Sequence, residues 1–482
     1  MPLGMKPIVN ESRKDSRLEL STRRPALRFK GKRIHLIGIG GCGMSGLARM
    51  LLDAGSIVSG SDARPNESVF DLIRRGVKVS RNQLGELLNP EIDLVIRTAA
   101  VPDNNPEFAA ASRLGLRTVK YSEMLGMVMA DSLGVAVAGT HGKSTTTAMI
   151  GFALLECGVD PSIIVGGSVS QIGGSCRSGG GEIFVAEACE YDRSFHRLHP
   201  TVAIITNIEE DHLDCYKDIH DIIASFHAFA HLVPSDGKII AGGADEHVRQ
   251  ALTDVRAPIE WVGLDGDFTW NTSAIGIENG CHRGQVSHRG QPVGVLELKI
   301  PGRHNLQNAT MAVAACASCG VDPKCAIAAI AEFQGVDRRM TRMGSFNGAT
   351  IIDDYGHHPT EIRATLAALR QRYSPKRLIC VFQPHQHSRT RYLLDDFAAS
   401  FTQADCTIVP DIYFVRDSET ERQRISSADL VKRIQANGRQ AMHVPDFSQI
   451  LEHLRASAAD GDLIVTMGAG NVWEIGRDLA ER

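Results

Sequence analysis

Residues 135–146 read VAVAGTHGKSTT, an apolar run that leads into a loop with glycine, lysine and hydroxyl residues. The run Val135–Ala138 predicts a buried strand, and a helical pattern follows the loop. Backbone N–H groups of such a loop can hold phosphates, while Lys143 would neutralise their charge and the Ser144 hydroxyl would bind Mg²⁺. The strict phosphate-loop pattern requires glycine where this chain has Val137, so the chemistry is retained although the formal pattern is not.

A second glycine-rich loop lies nearer the N-terminus, where GIGGCGMSG occupies residues 38–46 after the apolar run Arg33–Ile37. A helix that begins in such a loop offers N–H groups to a diphosphate. Asp62 ends the next predicted strand, where an acidic side chain can meet a ribose hydroxyl. Alone, this pattern indicates NAD, another dinucleotide-like ligand, or a tight turn without a ligand.

Acidic residues follow the next two predicted strands. Glu187 lies in VAEACEYDRSF, and His212 lies between Asp211 and Asp214 in TNIEEDHLD. Mg²⁺ prefers oxygen ligands, so a serine hydroxyl, one carboxylate and phosphate oxygens would serve, whereas histidine is a less typical ligand. Helix capping or surface charge is the alternative for each acidic residue.

Three further sets of polar residues lie at a helix start and at strand ends. Asn305 and Asn308 are three residues apart, hence on one helical face, and paired amides suit a purine edge. The string DDYGHHPTE (353–361) follows an apolar strand. Arg389 or Arg391 is a natural clamp for a substrate carboxylate, although either could be a surface charge.

Strands and helices alternate along the 482 residues, which favours an α/β fold with parallel sheets. Three such units fit the length. We place their boundaries near 130 and 335, with an antiparallel excursion at 259–300. Residues 1–33 hold ten Lys or Arg and three Asp or Glu, so we expect 1–30 to be a disordered basic tail.

Composition excludes several classes of protein. The net charge of −4 argues against a protein that coats nucleic acid. No segment reaches the length of an apolar membrane helix, and no apolar stretch follows the basic N-terminal residues as it would in a secretory signal. Eleven scattered cysteines fit a reduced, cytoplasmic compartment, with Cys316 and Cys319 as small buried thiols.

Six strings in this order resemble the Mur ligase family of peptidoglycan synthesis, over about residues 33–473: GIGGCGMSG, GTHGKS, NIEEDHLD, PGRHNLQNA, DDYGHHPTEI and FQPH with SRT. The resemblance implies three domains: a Rossmann-like UDP-binding domain (31–130), a central ATPase domain with a parallel sheet plus a small antiparallel sheet (131–335), and a Rossmann-like C-terminal domain for ATP and the amino acid (336–482). The first glycine loop would then hold a UDP diphosphate and not NAD.

The resemblance also implies roles for individual residues. Those for Mg²⁺ are Ser144, Glu187 and His212. Those for ATP are Gly139, Thr140, His141, Gly142, Lys143, Ser144, Thr145, Asn305, Asn308, Arg339 and Asp353 or Asp354. Those for the UDP-sugar are Gly40, Gly41, Gly43, Met44, Ser45, Asp62, Thr98, Ala99 and His141. Those for the amino acid are Tyr355, His357, Arg389 and Arg391. The catalytic set is Lys143, His357, His358 and Arg389, with His357 or His358 as the base.

The implied activity is that of the family members that join L-alanine to UDP-N-acetylmuramate with ATP, through an acyl phosphate. It implies small-molecule partners, no nucleic acid, and a monomer or weak homodimer. Three alternatives stay open: a recycling ligase for a preformed tripeptide, an NAD-dependent oxidoreductase, and a non-catalytic nucleotide sensor. The oxidoreductase would leave the second phosphate loop without a task.

The chain also departs from the family pattern. Tyr191 and Arg193 replace smaller residues beside Glu187, and DIYFVRDSE (411–419) differs from the usual string. Related ligases for later residues carry a carbamylated lysine after the DH pair. Lys217 and Lys238 do not have the spacing for that role, which agrees with an alanine-adding enzyme.

Overall fold

A computed structural model describes residues 26–98 and 101–481. Three sheets follow one another along the chain and confirm the α/β class with three domains. Within the described residues, no helix is long and apolar enough to cross a membrane. The proposed boundaries at 130 and 335 fall between the sheets and stay a prediction.

The first sheet has five parallel strands in the order β3-β2-β1-β4-β5, which is a Rossmann order. Its strands are β1 (Arg33–Ile37), β2 (Ile57–Ser61), β3 (Lys78–Ser80), β4 (Leu94–Arg97) and β5 (Thr118–Lys120). The accompanying helices are α1 (Cys42–Asp53), α2 (Glu67–Arg74), α3 (Pro106–Arg113) and α4 (Tyr121–Met129). The glycine loop between β1 and α1 therefore lies at the carboxyl edge of the sheet, where α/β folds bind ligands.

The second sheet has ten strands in the order β15-β14-β13-β12-β11-β10-β6-β9-β7-β8. Its strands are β6 (Leu133–Ala138), β7 (Ser162–Val169), β8 (Gly174–Arg177), β9 (Ile183–Glu187), β10 (Val202–Ile205), β11 (Lys238–Gly242), β12 (Ile259–Leu264), β13 (Trp270–Glu278), β14 (Cys281–His288) and β15 (Gln291–Glu297). Its helices are α5 (Lys143–Glu156), α6 (Ile219–Ala230), α7 (Glu246–Ala251), α8 (Arg303–Ser318) and α9 (Pro323–Ala331).

The antiparallel excursion predicted at 259–300 is formed by β13–β15, whereas β12 in the same range pairs in parallel with both of its neighbours. The strands β13–β15 continue the main sheet instead of forming a separate one. Val262–Leu264 of β12 pair with Trp270–Thr272 of β13. The pairing satisfies backbone groups that would otherwise form an open edge.

The third sheet has the order β16-β17-β21-β18-β19-β20, parallel except for β16. Its strands are β16 (Thr341–Phe346), β17 (Ala349–Asp354), β18 (Arg377–Phe382), β19 (Cys406–Val409), β20 (Ala441–His443) and β21 (Asp462–Met467). Its helices are α10 (Pro359–Tyr373), α11 (His387–Tyr392), α12 (Leu394–Ala398), α13 (Glu419–Arg422), α14 (Ser427–Ala436), α15 (Phe447–Ser457) and α16 (Trp473–Ala480).

The structure differs from the expected tail at residues 26–30. Leu27–Phe29 form a 3₁₀ turn after the fully buried Ala26, and Arg28 pairs with Asp131 at 3.0 Å. These residues are therefore part of the fold, because an apolar side chain and an ion pair attach them to it. Residues 1–25 of the predicted tail lie outside the described residues.

The cysteines follow the prediction in one place and not in another. Cys316 is a fully buried free thiol as predicted, whereas Cys319, also unbonded, is only half-buried because it follows the end of α8. Cys157, just after α5, and Cys325, in α9, form a disulfide that the scattered spacing did not predict.

Candidate active site

The loop between β6 and α5 is shaped by two glycines. Gly139 and Gly142 have φ values of +135° and +81°. A Cβ at Gly142 would lie 2.7 Å from the amide oxygen of Asn308, and one at Gly139 would lie 1.9 Å from the hydroxyl of Thr206. Only glycine lets the loop take this backbone shape against its neighbours, and the N-terminus of α5 consequently faces a concave surface.

Lys143, the first residue of α5, points back across the loop. Its Nζ donates to the carbonyl of Thr140 at 3.0 Å and to Glu190 Oε1 at 2.8 Å. Burial lowers the pKa of Lys143, but the nearby Glu190 carboxylate outweighs it, so the pKa is raised and the amine stays charged. A fixed positive charge therefore lies at the mouth of the phosphate loop.

Two of the three predicted metal ligands are in direct contact. Ser144 Oγ donates to Glu187 Oε2 at 2.9 Å. His212 lies instead beside Glu190, with 3.7 Å between Nε2 and Oε1. His212 Nδ1 and Glu190 Oε2 are buried and have no hydrogen-bond partner. A hydroxyl, carboxylates and such unsatisfied atoms fit a hydrated Mg²⁺.

A continuous chain of charged and polar side chains links the phosphate loop to the C-terminal domain. From Lys143 it passes through Glu190 and His212 to Asp211, 3.8 Å from His212 Nε2. Asp211 Oδ1 then accepts hydrogen bonds from Arg389 Nε and Nη2, at 2.9 and 2.7 Å. We call these five residues the charge chain. It joins predicted catalytic residues of both domains through side chains that are at most 16% exposed.

A cavity of about 520 Å³ lies between the central and C-terminal domains. Its volume is in the range of small-molecule sites. Predicted ATP residues that line it are His141, Gly142, Ser144, Thr145, Asn305, Asn308, Arg339 and Asp354. The cavity therefore gathers residues that are more than 200 positions apart in the sequence.

The two predicted amides meet in this cavity. Asn308 Nδ2 donates to Asn305 Oδ1 at 3.1 Å, and Asn305 Nδ2 donates to the carbonyl of Pro301 at 2.7 Å. Both residues lie in the first two turns of α8 and are buried. Their spacing thus gives the shared helical face that the sequence predicts.

The structure distinguishes the two adjacent aspartates. Asp353 accepts from Arg338 at 3.0 Å and from Thr466 at 2.8 Å, so its carboxylate is occupied within the domain. Asp354 lines the cavity and accepts only from backbone N–H groups, of Met340 and Gly356. Burial raises the pKa of Asp354 to about 6.

His141 of the phosphate loop lies between two carboxylates from different domains. Its Nε2 is 3.5 Å from Glu209 and its Nδ1 is 3.4 Å from Glu361. Burial disfavours the imidazolium, yet the two carboxylates raise the pKa of His141 to about 9. His141 therefore bridges the central domain and α10 as a cation at neutral pH.

The two candidate bases differ in their surroundings. His358 Nε2 is 3.1 Å from the carbonyl of Glu210, and its Nδ1 accepts from Thr360 N at 3.3 Å. His357 Nδ1 is 3.1 Å from the carbonyl of Tyr355. Burial lowers the pKa of His357 to about 4 and also lowers that of His358, so both rings are neutral at pH 7. A neutral ring can accept a proton.

The two arginines that were predicted to clamp a carboxylate have different partners. Arg389 is 7% exposed and paired with Asp211. Arg391 points elsewhere, because its Nε donates to Glu421 at 3.1 Å and its guanidinium covers the ring of Tyr392. The structure thus brings Arg389, but not Arg391, into the charge chain.

The first glycine loop is held by Asp62. Gly40 N donates to Asp62 Oδ2 at 2.8 Å, and a Cβ at Gly43 would lie 2.4 Å from the hydroxyl of Tyr121. Gly41 precedes α1, and Met44 and Ser45 are buried within it, so the loop offers backbone groups to a ligand. Of the remaining predicted UDP-sugar residues, Thr98 lines a cavity of about 200 Å³ with Tyr121 and Glu187. Ala99 lies outside the described residues.

Two departures from the family pattern touch each other. The guanidinium of Arg416, in the string 411–419, lies 4.4 Å from the ring centre of Tyr191. Arg193 is paired with Asp221 of α6 at 2.7 Å. The unusual residues beside Glu187 are thus held by contacts across and within domains.

Four acidic residues belong to the site although the sequence did not single them out for it. They are Glu190, Glu209 and Glu361, together with Asp211, which was considered only as a metal ligand. Glu190 lies three residues after Glu187 in the sequence, and Glu209 lies in the same string as His212. Proximity to these motifs was the available signal, but only the fold shows which side chains turn inward.

Comparisons with known proteins identify the family of the chain. The chain matches the Mur ligase family catalytic domain at 33–132, the Mur ligase middle domain at 137–316 and the Mur ligase glutamate ligase domain at 338–470. The UDP-N-acetylmuramate–L-alanine ligase of Caldanaerobacter subterraneus subsp. tengcongensis is 42% identical over 94% of this chain and 98% of the relative. That of Acetivibrio thermocellus is 42% identical over 93% and 95%.

Solved structures give the same result. The UDP-N-acetylmuramate–alanine ligase from Thermotoga maritima superposes with a TM-score of 0.78 at 26% identity, covering 93% of this chain and 98% of that one. A murein peptide ligase from Psychrobacter arcticus gives 0.72 at 28% identity with the same coverage. With three domain matches in order and relatives above 40% identity along nearly its whole length, the chain belongs to the Mur ligase family.

Proposed function

We propose that the protein joins L-alanine to the lactoyl carboxylate of UDP-N-acetylmuramate, with conversion of ATP to ADP and phosphate. This is the first peptide step of peptidoglycan biosynthesis, on which cell shape and division depend. Support comes from relatives at 42% identity that carry this activity in their names. We place the enzyme in the cytoplasm, as a monomer or weak homodimer.

The observation that carries this proposal is the charge chain. It connects the lysine of a phosphate loop to an arginine of the C-terminal domain without leaving the interior. A ligase must activate a carboxylate with ATP and then bring an amine to the same carbon. One buried strip that spans the two domains provides both places.

The chemistry follows from the charges. The substrate carboxylate attacks the γ-phosphate, and an acyl phosphate forms while ADP leaves. Lys143 compensates negative charge on the transferring phosphoryl group, which is the main aid to such transfer. Mg²⁺, which Ser144, Glu187 and His212 would hold, supplies further charge compensation when bound. Before the reaction begins, Lys143 is already oriented by its hydrogen bond to Glu190.

The second step needs a neutral amine. L-alanine attacks the acyl carbon and phosphate leaves, so a base must take a proton from the amine. We assign this to His357, because it is neutral at pH 7 and its ring lies near the charge chain, whereas both nitrogens of His358 are occupied. We assign the alanine carboxylate to Arg389, which would exchange Asp211 for the substrate.

We assign the adenine to Asn305 and Asn308 and the ribose to Asp354. We assign the phosphates to the loop 139–145, with Arg339 nearby. We assign the UDP moiety to Gly40, Gly41 and Gly43, with Asp62 holding the loop. We also assign Met44, Ser45 and Thr98 to this site, together with Ala99, which lies outside the described residues.

The recycling ligase is the second candidate, because the Psychrobacter arcticus murein peptide ligase has the same three-domain fold. The NAD-dependent oxidoreductase is not supported, since the family match covers all three domains. Sequence identity favours L-alanine over the tripeptide, because the relatives at 42% are alanine ligases.

Phosphate release tests the proposal. With ATP, Mg²⁺ and UDP-N-acetylmuramate labelled with ¹⁸O in its carboxylate, we expect release to require L-alanine and the phosphate to contain one ¹⁸O. Release without ¹⁸O would exclude the acyl phosphate. Release with the tripeptide but not with L-alanine would assign the recycling activity.

A further inference from the structure

Three potential metal ligands meet at the edge of the nucleotide cavity, apart from the residues assigned to Mg²⁺. They are His141 of the phosphate loop, Glu209 after β10, and His358 at the start of α10. One ligand atom from each lies within 4.8 Å of the other two. Glu209 Oε2 is 3.5 Å from His141 Nε2 and 3.8 Å from His358 Nδ1.

These distances suit a small tetrahedral ion. A metal about 2.0–2.2 Å from each of two ligands holds them roughly 3.3–3.6 Å apart. The two measured pairs are within a few tenths of an ångström of this separation. Two histidines and one glutamate, with a fourth position open to the cavity, are a set that Zn²⁺ and similar ions accept, whereas Mg²⁺ prefers oxygen alone.

The surroundings orient both rings for such an ion. His358 Nε2 is 3.1 Å from the carbonyl of Glu210, so with its proton there Nδ1 is unprotonated. Nδ1 lies 3.8 Å from Glu209, and an ion would replace the weak 3.3 Å hydrogen bond that it accepts from Thr360 N. His141 Nδ1 is 3.4 Å from Glu361 and would keep its proton there, while the ion would displace the other proton of the imidazolium from Nε2, which faces Glu209. A second partner of this kind, carbonyl or carboxylate, is typical of metal-bound histidine.

We propose that His141, Glu209 and His358 form a second metal site, selective for Zn²⁺ or a similar transition-metal ion, which fills when the nucleotide is absent. The three residues come from two domains. An ion bound to all of them would therefore fix α10 against the phosphate loop. Since His141 and Glu209 line the nucleotide cavity, the ion would inhibit the ligase, a consequence that rests on the proposed function.

Metal binding can be tested without any substrate. Co²⁺ is titrated into the full-length protein and the visible absorption of tetrahedral Co²⁺ is recorded, with Zn²⁺ added to displace it. We expect one such site. The variants Glu209→Gln and His358→Gln, which change ligands in different domains, should each weaken Co²⁺ binding by at least about tenfold. Glu361→Gln should weaken it by about tenfold, because the Glu361 carboxylate no longer orients the ring of His141.

Two controls separate this site from others. His212→Gln removes a proposed Mg²⁺ ligand, and His443→Gln removes a histidine that pairs with Asp411 on the surface. Both should retain the Co²⁺ spectrum. Loss of the spectrum in His212→Gln alone, or unchanged affinity in folded Glu209→Gln and His358→Gln, would overturn the proposal.

The inhibitory effect needs a separate assay. Phosphate release is measured with Mg²⁺ in buffered free Zn²⁺, and each protein is compared with its own rate in Mg²⁺ without Zn²⁺. The inhibition constant should rise at least about tenfold in Glu209→Gln. Co²⁺ binding without inhibition would reject the link to the ligase while retaining the site, and inhibition that is unchanged in Glu209→Gln would reject the link as well.

Discussion

Replacement of Lys143 by alanine separates the structural and chemical parts of the charge chain. The side chains of Lys143 and Glu190 are 14% and 4% exposed, and their charged atoms are 2.8 Å apart. Removal of the lysine leaves a buried carboxylate without its main partner, and breaking such a pair costs about 3–5 kcal/mol. We therefore expect Lys143→Ala to lower the free energy of unfolding by about 3–5 kcal/mol.

The double variant Lys143→Ala/Glu190→Gln is the matched control. It removes the unpaired charge, so we expect it to regain most of the lost stability in urea titrations, while phosphate release stays absent in both variants. Affinity for UDP-N-acetylmuramate, measured by calorimetry, should stay at the wild-type value because the first glycine loop lies in another domain. The reasoning fails if Lys143→Ala is as stable as the wild type, or if the double variant recovers turnover.

Three further predictions concern single positions. Burial raises the pKa of Asp354 to about 6, so the folded protein binds this proton more tightly than the unfolded chain, and the stabilisation is lost as the pH rises through about 6. Relative to Asp354→Asn, the wild type should lose roughly 2 kcal/mol between about pH 4 and about pH 7 in urea titrations, and a constant difference would contradict this. Gly43→Ala places a Cβ 2.4 Å from the Tyr121 hydroxyl, so we expect a loss of about 1–3 kcal/mol, partly recovered with Tyr121→Leu if the clash is the cause. Asp62→Ala removes the acceptor of Gly40 N and should weaken UDP-N-acetylmuramate binding by about 1.5–3 kcal/mol in calorimetry; an equal loss of ATP affinity would refute a local effect.

Local patterns predicted much of the fold. The apolar runs predict strands at Arg33–Ile37 and Ile57–Ser61, and β1 and β2 begin and end at these residues, because short apolar runs between glycine and polar residues are a strong signal. The pattern predicts a helix over Thr360–Arg372, and α10 begins one residue earlier, at Pro359, since proline is favoured in the first helical turn.

Other elements depended on tertiary contacts. The sequence pattern predicts one helix over Tyr392–Thr402, but in the structure α11 ends at Tyr392, and α12 and a 3₁₀ turn follow. Asp417 accepts from the N–H groups of His387 and Ser388 and so holds the start of α11 from 30 residues away. Sequence spacing carries no information about such a partner.

The residues of the candidate site also divide into those that local sequence rules predict and those that depend on tertiary contacts. Glycine loops and the pair Asn305 and Asn308 follow from local rules, because backbone shape and helical spacing determine them. The pairing of Arg389 with Asp211 joins residues 178 positions apart. Which of two neighbouring arginines turns inward depends on domain packing, and the sequence left both open.

Competition between two amines tests the central claim most directly. The protein is incubated with UDP-N-acetylmuramate, ATP and Mg²⁺, together with equal concentrations of L-alanine and the L-Ala-γ-D-Glu-diaminopimelate tripeptide. The UDP-linked products are then identified by mass spectrometry. We predict the alanyl product alone. A tripeptide adduct as the main product, or ATP hydrolysis without any adduct, would contradict the account.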